Sequence, residues 1–155
     1  MKRFFIVLAF VLSLNLPLHA QDHVDQDIAL LRTDIKTDKA TLITVNMKFT
    51  AEESAAFWPV YKKYEDELSA IGDTRLAIIK DYAQNFETMT NDKASELTEQ
   101  WFQTEEQRLH LKEKYFGELQ KVLPAKTAAR FIQVENRLNL LLDLQLAGAI
   151  PLVRK

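Results

Sequence analysis

The chain has 155 residues with no cysteine, three glycines, four prolines and a formal net charge of −2. Without cysteine there is neither a disulfide framework nor thiol chemistry, and the slightly acidic balance excludes the basic footprint of a nucleic-acid binder. So few turn formers, in a sequence rich in Ala, Leu, Glu, Lys and Gln, predict an all-α fold.

Lys2 and Arg3 precede an apolar run, Phe4 to Leu16, broken only by Ser13 and Asn15, and Leu18-His19-Ala20 ends in a small residue before Gln21. This is the layout of a secretory signal peptide cleaved near Ala20. A membrane anchor is the competing reading, but the run falls short of the roughly 20 residues that a spanning helix needs. The remaining 21–155 suit a single domain and carry 18 basic against 22 acidic residues, a net charge of −4. From Lys121 onward six Lys or Arg face only Glu135 and Asp143, so a basic last helix is expected along an acidic partner.

Ile28, Leu31, Ile35, Leu42 and Val45 keep helical spacing and predict a first helix from about Asp27 to Asn46, with Asp34, Lys36, Asp38 and Lys39 on its surface. Thr50 and Glu53 form a capping-box pattern that opens a second helix. That helix carries Phe57, Tyr61, Tyr64, Leu68, Ile71, Ile78, Tyr82 and Phe86 on one face. Pro59 removes a backbone bond inside it and predicts a kink, with a break into two helices as the alternative. After a turn at Met89 to Asp92, a third helix with Ala94, Leu97, Trp101, Leu111, Tyr115, Leu119 and Val122 folds back antiparallel on the second. Midway along this long hairpin the stripe turns polar. Arg75, Glu105 and Arg108 are expected to form a structural layer, Arg75 paired with Glu105 or Glu106, a device that fixes register more than it adds stability. A catalytic Arg and Glu pair is the functional alternative.

Pro124 opens a fourth helix, to about Ala147, which Gly148 and Pro151 close before an extended tail, Pro151 to Val153. Phe131, Val134, Leu138, Leu141 and Leu142 form one apolar band, widened by Ile132, Leu140, Leu144 and Leu146. One hairpin face cannot cover so wide an arc, so these residues are the expected surface for a protein partner or client. Trp58 and Trp101, with Phe57, Tyr61, Tyr64 and Tyr115, would line a ligand groove on one reading; aromatics at helical spacing fit the core on the other.

No catalytic, cofactor or metal constellation emerges. His23 and His110 form no ligand pair, and the acidic runs Glu65, Asp66, Glu67 and Glu105, Glu106 point different ways on a helix, as solvated faces do. No phosphate loop or nucleophile arrangement can be assembled.

The layout resembles the Spy/CpxP family of exported bacterial helical proteins, whose LTxxQ-type motifs open two helices. The matching stretches are Phe49-Thr50-Ala51-Glu52-Glu53, which keeps the Thr, and Leu123-Pro124-Ala125-Lys126-Thr127, which keeps the Leu. The resemblance implies a periplasmic, non-enzymatic homodimer without cofactors, acting as an ATP-independent chaperone in the envelope stress response or as the partner of an envelope sensor. The basic client-holding face that the family implies has no counterpart in the acidic hairpin, and only the last helix would supply positive charge. A binder of a small apolar ligand is the third reading.

Overall fold

The computed structural model describes residues 38–154, all but the side chains of Gln145 and Ala149. The expected signal peptide, His23 and residues 27–37 of the expected first helix lie outside them. The described residues form four helices and no strand: α1 over 38–47, α2 Ala51–Asn85, α3 Asn91–Gln120 and α4 Ala125–Ala149, with one 3-10 turn, Phe86–Thr88, between α2 and α3.

Each start has a local cause. The Thr50 hydroxyl accepts from the Glu53 amide at 3.2 Å while the Glu53 carboxylate accepts from the Thr50 amide at 3.1 Å, so the expected capping box opens α2. Thr90 caps α3 in the same way by accepting from Lys93 N. Pro124 stands just before the first turn of α4, where its missing N–H costs nothing. Pro59 lies inside an unbroken α2, which rules out two separate helices there.

The ends shift slightly from expectation. Helical bonding in α2 stops at Asn85, and Asn91 and Asp92 already belong to α3, so the hairpin turns over residues 86–90: it includes the expected Met89 and Thr90 but begins three residues earlier, with the 3-10 turn Phe86–Thr88. Helix α3 stops at Gln120, and α4 runs through Gly148 to Ala149 before Pro151 ends it.

The hairpin is fixed at several levels by Tyr64 against Tyr115 (ring centroids 5.4 Å apart), Glu67 with Lys114 (2.7 Å), Arg75 over Trp101 (4.7 Å) and Asp81 with Lys93 (2.7 Å). Helix α4 lies along it, antiparallel to α3. Thr127 donates to Glu53 near the open end, Lys112 to Asn136 midway, and past the end of α4 the Tyr82 hydroxyl donates to the Pro151 carbonyl near the hairpin turn. Arg154 stacks over Phe86 and pairs with Glu87. The tail is thus held by its backbone and Arg154, while Leu152 and Val153 stay exposed.

The main core sits at the open end of the hairpin. Phe57, Tyr61 and Tyr64 of α2 meet Leu111, Tyr115 and Leu119 of α3 and Ala128, Phe131 and Val134 of α4, and α1 adds Ile43 and Met47. Phe131 makes edge-on contacts with Phe57, Tyr61 and Tyr64 at 5.1 to 5.9 Å, the arrangement that aromatic quadrupoles favour. Toward the hairpin turn the buried residues thin out to Ile78, Leu97 and Thr104. Because Phe131 is 1% exposed, Phe131→Ala is expected to lower the unfolding free energy by about 3 to 5 kcal/mol, read from urea denaturation; a loss below about 1 kcal/mol would deny it a core role.

Candidate functional site

Two polar centres, one buried and one half-buried, lie on the inward side of α4. In the first, Glu135 is fully buried, although it is one of only two acidic residues on the helix. Its Oε1 accepts from Lys39 Nζ of α1 (2.9 Å), the Tyr64 hydroxyl of α2 (2.8 Å) and Asn139 Nδ2 (3.3 Å). Lys39 also donates to Glu65 at 2.6 Å and lies 5.7 to 6.0 Å from the Tyr64 and Tyr61 ring centres. Burial, followed by the neighbouring Glu135 and Glu65 charges, pushes the Tyr64 phenol far above its ordinary value, and burial with Glu65 does the same to Tyr61. Both tyrosines therefore stay neutral. Glu135 Oε2 and the Tyr61 hydroxyl are buried without a hydrogen-bond partner.

This centre corrects the sequence reading. Lys39 is not on the surface of α1, and Glu65 is not part of a solvated face. The legible signal was a lone acid, Glu135, close to the apolar residues Phe131 and Val134, which demands a cation or hydroxyl from another helix.

The second centre holds Arg75, Arg108, Glu105 and Asp143. Arg75 donates to Asp143 at 2.6 Å, while Arg108 donates to Glu105 at 2.6 Å and to Asp143 at 3.3 Å. Arg75 is therefore paired with α4 and not with Glu105 or Glu106. Arg75 instead stacks on Trp101, and Asp143 reaches the layer from a helix that two-helix pairing ignores. Burial alone would raise the Asp143 carboxyl, but the hydrogen bonds and charges of Arg75 and Arg108 outweigh it and hold the group below its usual range. For Arg108, burial acts to lower the guanidinium, and Asp143 and Glu105 overcome it to raise it.

With both acids of α4 turned inward, Glu135 meets Lys39 of α1 and Asp143 meets Arg75 and Arg108 of the hairpin, the reverse of the expected basic helix on an acidic partner. The outer face of α4 is left with Lys126, Arg130 and Arg137, all exposed, and no carboxylate. Arg130 donates to the Asn46 carbonyl, which leaves its charge uncompensated. Lys126, Thr127, Ala129, Arg130 and Gln133 border a shallow open depression of about 430 Å³.

Further along, the same face becomes apolar, with Leu140, Leu141 and Leu144 at 67%, 59% and 68% exposure. Leu109 follows Arg108 and Leu144 follows Asp143, the pair that bonds across the α3–α4 seam. Each leucine is thus about 100° round its own helix from the seam. In antiparallel helices both rotations go to the same side, here away from α2. Exposed Phe102 falls on that side of α3 as well, and Leu140 on that side of α4. The outer face of the α3–α4 pair therefore carries an apolar strip of Phe102, Leu109, Leu140 and Leu144, bordered by Leu141.

The expected partner surface splits. Phe131 and Val134 are buried inside the bundle, Leu138 and Leu142 are half-buried, and only Leu141 faces outward. The expected Trp groove does not form. Trp101 lies beside Arg75, whereas Trp58 is 17 residues away along α2 (75 − 58), about 25 Å at helical rise. Trp58 instead packs on Phe57 and Tyr61 and donates to Ser54. Among the described residues no three His, Cys, Asp or Glu converge as a metal site, and no helix is long and apolar enough to cross a membrane.

The fold and this face define an all-α bundle with a half-covered last helix. No family model matches the chain, nor does any curated protein or solved structure.

The Asp143 layer predicts a pH effect. Its folded value lies below the ordinary 3.8, so its stabilisation is complete above that value and is lost as the pH falls through the folded one. Asp143→Asn should lower the unfolding free energy at neutral pH, read from urea denaturation, by no more than about 1 kcal/mol for a partly exposed pair, and reduce the loss of stability in that acid window. An unchanged acid profile would show that the layer contributes nothing.

Proposed function

We propose that this is an exported, non-enzymatic binding protein that holds unfolded or partner proteins on the outer face of α4 and α3, in the manner of a periplasmic chaperone of Spy/CpxP type. The observation that carries the proposal is the exposure of three leucines within two turns of α4, continued by Phe102 and Leu109 on α3. Such a contiguous apolar strip marks an interaction surface, whereas exposed apolar residues scattered singly do not. Covering it gains roughly 25 cal/mol per Å² of apolar area. Lys126, Arg130 and Arg137, on the same side of α4 and with no carboxylate beside them on that helix, add attraction for acidic segments.

The same strip suits a second copy of the chain, which makes a homodimer the resting form of such a binder, and a dedicated sensor or adaptor partner would use it too. A small apolar ligand between Trp58, Trp101 and α4 is disfavoured by the separation of the two indoles.

The double change Leu140→Ser with Leu144→Ser tests the proposal. Suppression of aggregation of reduced lactalbumin should weaken at least about tenfold, the scale of two lost apolar contacts, with thermal stability nearly unchanged because both sites face water. Undiminished suppression by a folded double variant, or none by the wild type at several-fold excess, would refute it.

A further inference from the structure

The outer strip is bordered by two rows of opposite charge that the molecule leaves unpaired. On α3, Glu99, Phe102, Glu106, Leu109 and Glu113 recur at alternating steps of three and four, and all five are exposed. On α4, Lys126, Arg130, Gln133, Arg137, Leu140 and Leu144 recur at alternating steps of four and three, again all exposed. This is the spacing of a heptad seam, the pattern by which one helix packs along another. Among the described residues, none of Glu99, Glu106, Glu113, Lys126 and Arg137 takes part in an ion pair.

We propose that two copies of the chain close face to face about a two-fold axis parallel to their helices, each α3 against the α4 of the other copy, and that this closed pair hides the apolar strip and leaves the monomer as the binding form. The inference rests on the binding role proposed above and adds to it the geometry of the resting pair and a means of control.

Symmetry and charge select this arrangement. A two-fold rotation leaves height along its axis unchanged, so α3 meets the second α4 at the level at which it meets its own. Within one protomer Lys112 bonds to Asn136 and Arg108 to Asp143, which sets Glu113 level with Arg137 and Leu109 level with Leu140 to within a turn. Across the axis, Glu113 therefore faces Arg137 of the partner subunit and Leu109 faces Leu140 of the partner subunit, and symmetry repeats both contacts. Phe102 and Leu144 extend the apolar part toward the hairpin turn. An axis at right angles to the helices in the same interface would instead lay α3 on α3 and bring the two glutamate rows together, which like-charge repulsion disfavours.

The same rows argue for a second copy over other occupants. An anionic lipid surface would meet Glu99, Glu106 and Glu113 beside the leucines. An unrelated helix would need to match an acidic row and a basic row at once, whereas a second copy carries both in matching order. Because the paired charges lie at an exposed rim, salt screens them. Ionic strength thus sets how much of the strip is free.

Sedimentation equilibrium of the protein reads the pairing. A dimer is expected at micromolar concentration in ~50 mM salt, with its Kd rising at least about tenfold by ~500 mM. Glu113→Arg and Arg137→Glu should each weaken it at least about tenfold, since each turns two attractions into two repulsions. Combined in one chain they should restore it to within about threefold of the wild type. Both sites are exposed, and an unaltered circular dichroism spectrum checks that every variant is folded. A wild type that stays monomeric at ~100 μM in low salt would overturn the arrangement. So would single variants that dimerise as well as the wild type, or a double variant as weak as the singles. At a concentration where the wild type is dimeric, the monomeric single variants should suppress aggregation of reduced lactalbumin at least about threefold better per chain, because more of the binding-competent form is present. Equal or poorer suppression would overturn the masking. Absence of suppression by wild type and variants alike would defeat the binding role, with sedimentation still deciding the pairing.

Discussion

Everything outside the core follows from the burial of one carboxylate. Glu135 cannot face the interior without partners, and it finds them only where Lys39 of α1, Tyr64 of α2 and Asn139 of its own helix converge. That requirement fixes the rotation of α4 about its axis. Eight residues later, Asp143 is drawn inward by Arg75 and Arg108 and locks the same rotation two turns further on. At 100° per residue, positions 140, 141 and 144 then lie well over 90° away from Glu135 and have to face outward. Two acids, not the leucines, decide which side of the helix meets water.

The consequence is a helix with two different halves. In the first, Ala128, Phe131 and Val134 complete the aromatic core and the opposite side is cationic. In the second, the inward side is given over to an arginine and aspartate layer and the opposite side is apolar. Ion pairs at such a partly exposed seam contribute little net stability. Their value is orientation, which turns an ordinary amphipathic helix into one that displays leucine.

Much of this fold was legible in the sequence. The 3.6-residue period of Phe57, Tyr61 and Tyr64 and of Leu111, Tyr115 and Leu119 encodes the hairpin, and Thr50, Glu53 and Pro124 mark its boundaries, because these signals are local. The early end of α2 was not legible, since Asn85 and Asn91 suit a helix end and a helix start about as well as their neighbours do. What the sequence reading missed was non-local. Periodicity counts Phe131, Val134 and Leu141 alike as apolar, so they merged into one band, whereas burial depends on which helix lies opposite each turn. Lys39 and Glu65 were read as surface charges because single charged residues usually are; only their meeting with Glu135, 96 positions from Lys39, makes them core.

The chain contains no cysteine, so single cysteines introduced along α4 report its orientation directly through thiol labelling rates in the native protein. The rotation set by Glu135 and Asp143 predicts that Leu140→Cys, Leu141→Cys and Leu144→Cys label at nearly the rate of a free thiol in dilute monomer, with Phe131→Cys and Val134→Cys slower by orders of magnitude. Protection of positions 140 and 144 equal to that of 131 and 134 in a monomer would contradict the account, because the leucines would then be covered from within the same molecule.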